Sequence, residues 1–153
     1  MLVPDRYEEG RPMLLAGLRR HHPYAGQGDG ISAQWREFLA LGPLPGQRPG
    51  ATYGVMCGAD AGGFEYLSGV EVDSFAALPA GLGRVRVLPQ YYAVFRHAGP
   101  VTGIRETWQR ILQEWLPDGG HESAHKPDFE VYGPGFDPGT GLGGVEIWIS
   151  IAR

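Results

Sequence analysis

Apolar residues recur along this chain in two distinct periods. In GISAQWREFLALG, Ile31, Trp35, Phe38 and Leu39 fall at i, i+4, i+7 and i+8. In VTGIRETWQRILQEWLP, Ile104, Trp108, Ile111 and Leu112 repeat those offsets, and Trp115 extends the stripe by one turn. Each pattern predicts an amphipathic helix with that set on its buried face. Gly42-Pro43 ends the first helix, and Pro117 with Gly119-Gly120 ends the second.

Shorter stretches of alternating or continuous apolar residues predict strands on both sides of each helix. MLLAGLRR (13–20) precedes the first helix, and TYGVMC (52–57) and FEYLSGVEV (64–72) follow it. YYAVFRH (91–97) precedes the second, and DFEVYG (128–133) and GVEIWISI (144–151) follow it. The order is β-α-β-β, twice. The halves also align residue by residue: LLAGLRR over YAVFRH, Ile31 and Trp35 over Ile104 and Trp108, GGFEYLSGV over GGVEIWISI. The last alignment pairs Glu65 with Glu146, and the second makes Trp35 and Trp108 equivalent buried positions. A period of about 70 residues is too long for a solenoid unit. It predicts one α+β domain made of a duplicated module in pseudo-twofold arrangement. The first module covers about 12–72, a Pro/Gly-bearing linker 73–89, and the second module about 90–153.

Strand alternation sorts the side chains by face. In GVEIWISI, Val145, Ile147, Ile149 and Ile151 point to the helices; Glu146, Trp148 and Ser150 point away. The same rule assigns Phe129 and Val131 to the core and sends Glu130 and Tyr132 to the face of Glu146. It adds Tyr92, Val94 and Arg96 from the preceding strand, and Met56 and Glu65 from the first half. One face then gathers Glu146, Trp148, Tyr132, Tyr92, Met56 and Glu65. Aromatic rings attract cations, and a partly buried carboxylate adds charge complementarity, so the set suits hydrophobic cationic small molecules. Rings that exclude water also raise the pKa of an unpaired carboxyl, so Glu146 is expected above its ordinary value of about 4.3. Used catalytically, the same set makes a hydrolase, with Glu146 as general acid or base and Tyr92 or Tyr132 as hydrogen-bond donor.

Composition narrows the classes. The 153 residues have a net charge of −4 and no Lys/Arg cluster larger than a pair, which argues against nucleic acid as a partner. No apolar run approaches membrane-spanning length, and MLVPDRYEEGRP does not read as a signal peptide, so a cytoplasmic protein is expected. Cys57 is the one cysteine, which excludes an intramolecular disulfide and predicts a small buried strand residue. HESAH (121–125) has the letters of a zinc-protease motif. It follows a helix stop, however, and ends at Lys126-Pro127 with no apolar period through it. It reads as a loop, and no metal or other cofactor is expected. GPGFDPGTGLGG lacks the GK[ST] ending of a phosphate-binding loop and reads as a hairpin connection.

The ordered set YAVFRHAGP, IRETWQRILQEWLP, PDFEVY and FDPGTGLGGVEIWISI, over about 91–151, resembles the gyrase-inhibitor-like (GyrI-like) small-molecule-binding domains. These also serve as effector-binding domains of AraC- and MerR-type bacterial regulators. The first half matches more loosely. The resemblance implies two modules forming a curved antiparallel sheet, with helices on one face and a ligand groove on the other. It also implies a pocket glutamate at Glu146, facing cationic lipophilic compounds in multidrug-sensing relatives. Some relatives are hydrolases of cyclopropane-bearing natural products, and others inhibit gyrase as protein-interaction modules. Ser150 stands where the family often has Pro. About a dozen residues precede the first predicted strand, too few for a helix-turn-helix, so direct promoter binding is not expected. The resemblance favours a standalone module that senses or sequesters a xenobiotic.

Overall fold

A computed structural model of the chain describes residues 2–24, 30–124 and 126–152. Its strands are β1 (Arg6–Glu9), β2 (Met13–Pro23), β3 (Gln47–Ala59), β4 (Gly63–Val72), β5 (Gly83–Val87), β6 (Tyr91–Arg96), β7 (Asp128–Tyr132) and β8 (Glu146–Ser150). Helix α1 spans Gly30–Ala40. Helix α2 spans Ile104–Arg110, runs on through a π-helical turn, Ile111–Trp115, and ends with Leu116–Asp118. The fold is α+β, and the pairings within each of its units are antiparallel.

The chain divides into two compact units. One is Pro12–Leu88, and the other joins Met1–Arg11 to Pro89–Arg153; they are named here the Glu65 unit and the Glu146 unit. Their strand orders correspond: β5-β2-β4-β3 in the first and β1-β6-β8-β7 in the second. In both, the strand before the helix pairs with the last strand of the module, as the duplicated β-α-β-β pattern requires. Each unit has in addition a short end strand. β1 leads directly into β2 yet pairs with β6, and β5 leads directly into β6 yet pairs with β2.

These end strands correct the predicted boundaries. Residues 83–87 lie in the expected linker, but the alternation in GRVRV buries Val85 and Val87 and pairs them with Leu15 and Met13. The stretch before them is also packed: Leu78 joins the core of Ala16, Phe38, Leu44, Val70 and Val72, and Phe75 and Leu82 pack against it.

The helices sit a little differently from the periodic reading. In α1, Gln34 is fully buried while Trp35 is half-buried and Leu39 is 53% exposed. Gln34 Nε2 donates to the carbonyls of Leu18 (2.8 Å) and Tyr66 (3.0 Å), which satisfies a polar group inside the Glu65 unit. In α2, Trp108 and Ile111 are buried but Leu112, expected in the core, is 44% exposed. The π turn begins at Ile111 and takes more residues per turn, which carries Leu112 off the buried stripe.

Candidate functional site

Residues directly opposite each other on antiparallel strands share a face. In the Glu146 unit the register sets Arg96 and Val131 beside Glu146, and Val94 and Phe129 beside Trp148. It also sets Tyr92 beside Ser150, Arg6 beside Val94, and Glu8 beside Tyr92. The face turned from α2 therefore collects Arg6, Glu8, Tyr92, Arg96, Phe129, Glu146 and Trp148.

The rings form a cluster. Phe129 stacks on Trp148 (centroids 5.4 Å, planes 21° apart), and Tyr92 meets both edgewise at 5.2 and 5.4 Å. Such geometry adds about 0.5–1.5 kcal/mol per pair beyond burial. Trp148 Nε1 donates to Glu146 Oε1 (3.1 Å), tying the carboxylate to the cluster edge. Tyr92 is buried, and among the described residues its hydroxyl makes no hydrogen bond. Burial, reinforced by the nearby charge of Asp128, pushes its pKa up to about 12, so the group stays a proton donor.

Glu146 is not alone with the rings. Arg6 Nη1 donates to Oε2 (2.8 Å) and Nη2 to Oε1 (3.1 Å), a two-pronged ion pair. Arg6 Nε donates to Glu8 Oε1 (2.8 Å), and Arg6 Cζ lies 5.6 Å from the Trp148 ring centroid. The Glu146 side chain is 22% exposed and that of Arg6 40%. The Arg6 hydrogen bonds hold the Glu146 carboxyl below the usual range, opposed by burial and helped by Trp148 and the charge of Arg96. This reverses the expectation of a raised pKa. The rings do desolvate the group, but β1 supplies a cation that outweighs them.

Two of the expected site residues fall on the other face. Val131 sits opposite Glu146, and Glu130 opposite Ile147, so Tyr132 points to the helix side. There its hydroxyl donates to Glu130 Oε1 (2.7 Å), and Trp108 Nε1 donates to Glu130 Oε2 (2.8 Å). Phe129, expected in the helix-side core, joins Trp148 instead. In the Glu65 unit, Met56 pairs with Tyr66, whose hydroxyl accepts from Trp35 Nε1 of α1 (3.1 Å). Met56 is thus on the helix side. Glu65 lies on the opposite face, where Arg19 Nε donates to its Oε2 (2.9 Å).

Arg6 and Phe129 were the residues that sequence reasoning missed. Phe129 could have been found only from the strand register. Arg6 lies in RYEE, and its one signal is a basic residue between acids ahead of the first predicted strand.

The remaining motifs have structural roles. Cys57 is half-buried, and burial raises its thiol pKa, so it is a poor nucleophile. His97 sits between Thr107 Oγ1 (2.8 Å) and the Pro100 carbonyl (2.7 Å). Residues 121–124 are not helical; the His121 ring stacks on Trp115 at 4.6 Å, and His125 lies outside the described residues. Among the described residues, no helix is long and apolar enough to cross a membrane.

The fold and the motif set define a GyrI-like effector-binding domain. The chain belongs to the integron-associated effector binding protein family, whose model matches residues 7–151. It is 34% identical over 130 residues to the transcriptional regulator BrlR of Pseudomonas aeruginosa, covering 81% of this chain and 47% of the regulator. The chain thus spans about half the length of the curated relative it matches. Among solved structures it is similar to SAV2435 bound to tetraphenylphosphonium, with a TM-score of 0.70 at 18% identity, covering 96% of this chain and 93% of that one. It is also similar to an integron cassette protein from the mobile metagenome of Vibrio cholerae, with a TM-score of 0.71 at 17% identity, covering 96% and 95%.

Proposed function

We propose that this chain binds hydrophobic cations on the ring-lined face of the Glu146 unit, with Glu146 as the charge-reading group. The observation that carries this reading is the ionised carboxylate of Glu146 at the edge of the Tyr92–Phe129–Trp148 cluster. An organic cation gains from the π faces and from the carboxylate together. The family's effector-binding description and the cationic compound bound to SAV2435 support it. Similarity to BrlR supports a role in reporting a compound to a regulatory partner, with sequestration as the simpler outcome. A hydrolase using Glu146 as general acid is disfavoured, because Arg6 keeps that carboxyl ionised and Tyr132 lies on the helix side.

Calorimetric titration with tetraphenylphosphonium and with tetraphenylborate, the anion of the same shape, tests the reading. Glu146→Gln keeps the shape and removes the charge. It is expected to weaken the phosphonium by about 1–3 kcal/mol, the range for a charge-assisted contact, and to leave the borate no weaker. Equal losses for both ions, or no loss for either, would remove Glu146 from the role of charge reader.

A further inference from the structure

The contacts of Arg6 are those a ligand cation would make. Its guanidinium donates two hydrogen bonds to Glu146 and lies 5.6 Å from the Trp148 ring centroid. We infer that Arg6 is a built-in occupant of the cation subsite, and that an organic cation binds by displacing its guanidinium. This rests on the reading of Glu146 as the charge reader. Three observations favour displacement over a fixed structural pair. β1 is a four-residue end strand that, among the described residues, pairs only with β6, so no described ladder beyond it depends on Arg6. The Arg6 side chain is 40% exposed, which leaves a path into solvent. A second acceptor already holds it: Glu8 Oε1 takes the Arg6 Nε–H at 2.8 Å, so the head group keeps a counter-charge after leaving Glu146.

The surrounding charges agree. Arg96 stands opposite Glu146, and its backbone N–H donates to Asp5 Oδ2 (2.6 Å). Gly144, at φ +79°, leaves room for the Arg96 guanidinium, since a Cβ there would come within 2.6 Å of Nη2. Arg96 therefore has a place of its own beside the carboxylate, while Arg6 lies over the Trp148 ring. The subsite selects by what can replace a guanidinium. A planar amidinium with two N–H donors and an aryl group reproduces both the fork and the π contact. A bulky, weakly hydrated phosphonium supplies the π contact and the charge. A small, strongly hydrated ammonium supplies neither well.

The test uses Arg6→Ala and Arg6→Lys, with tetraphenylphosphonium, benzamidinium and tetraphenylborate as probes and thermal unfolding to verify folding. Arg6→Ala is expected to bind the phosphonium about tenfold more tightly than wild type, because no internal ion pair must first be broken. Benzamidinium should stabilise Arg6→Ala more than wild type, and Glu146→Gln in the same background should abolish that gain. Arg6→Lys, which keeps the charge but loses the fork, should fall between; if Arg6→Ala does not fold, this variant decides. Phosphonium binding that depends on Glu146 but is unchanged or weaker in folded Arg6→Ala or Arg6→Lys overturns the inference and leaves the function reading standing. Tight borate binding that Arg6→Ala abolishes also overturns it, making Arg6 an anion reader. Cation binding absent from wild type but gained in Arg6→Ala would leave Arg6 as occupant of the subsite but overturn its displacement by a ligand, and with it the function reading for the native chain.

Discussion

The two units share a strand order and a glutamate at the same register position, yet they build opposite surfaces around it. In the Glu146 unit the positions flanking the carboxylate hold Trp148, Phe129 and Tyr92. The corresponding positions beside Glu65 hold Leu67, Val55 and Gly17, with Gly69 opposite Gly17. A Cβ on Gly69 would meet the Ala16 carbonyl oxygen at 2.6 Å, so β2 and β4 approach too closely there for a side chain. Both glutamates are paired with an arginine, but from different strands: Arg6 on β1 and Arg19 on β2. The scaffold sets where a carboxylate stands. The residues two positions along the strands decide whether it sits beside rings or beside aliphatic residues and glycine.

The largest expected difference between the two faces is in packing. Phe129→Ala removes a buried ring stacked on Trp148 and should cost about 3–5 kcal/mol in chemical denaturation. Val55→Ala, at the matching position beside Leu67, should cost about 2 kcal/mol. Equal costs would mean that the ring cluster adds nothing beyond ordinary burial, and the contrast between the faces would lose its energetic content.

The next difference is electrostatic. A double-mutant cycle on Arg6 and Glu146 should return a coupling of about 1–2 kcal/mol, given two hydrogen bonds to a carboxylate that is half-buried. The Arg19–Glu65 cycle should return under about 1 kcal/mol, because that pair has one contact and both side chains are about 40% exposed. Repeating the first cycle against pH sharpens it. The folded-state pKa of Glu146 is depressed, so its contribution is present above the unfolded carboxyl value of about 4.3 and is lost as pH falls through the lower folded value. Coupling that persists undiminished below that window would mean that charge is not what holds Arg6.

Much of this contrast was hidden from the sequence for identifiable reasons. The two helices and six of the strands follow from alternating or continuous apolar runs, the continuous runs of β4 and β6 being buried on both faces. β1 is missed because RYEE is mostly exposed and has no apolar alternation to mark it. With β1 unseen, the partner of Glu146 was unseen too, and the direction of its pKa shift came out reversed. β7 fails differently. Phe129 and Glu130 are adjacent and both buried, so alternation cannot say which face is which. Reading the apolar residue as core placed Tyr132 beside Glu146, whereas Glu130 is the group that Trp108 and Tyr132 satisfy on the helix side. In α1 the fully buried side chain is Gln34, a residue that hydrophobic periodicity counts as polar surface.

The smallest effect is also the one that separates the two units by sign. Each unit buries two strand tyrosines, and the most buried of each are Tyr66 on β4, facing α1, and Tyr92 on β6, facing away from α2. The Tyr66 hydroxyl accepts a hydrogen bond from Trp35 Nε1 at 3.1 Å. Tyr66→Phe removes that acceptor, leaves the indole N–H unmatched at this contact, and should destabilise the protein by about 1 kcal/mol. The Tyr92 hydroxyl is buried and makes no hydrogen bond among the described residues. Burying a hydroxyl without a partner costs free energy that folding must offset. Tyr92→Phe removes the cost and keeps the edgewise contacts with Phe129 and Trp148, so it should stabilise the ligand-free protein by about 1 kcal/mol. The two variants, unfolded in parallel in urea, should therefore move their midpoints in opposite directions. A ligand that accepts a hydrogen bond from Tyr92 should then bind the Phe variant more weakly, whereas tetraphenylphosphonium, which has no acceptor, should bind both alike. If Tyr92→Phe destabilises the ligand-free protein as Tyr66→Phe does, the hydroxyl already has a partner in solution, and this difference between the two units disappears.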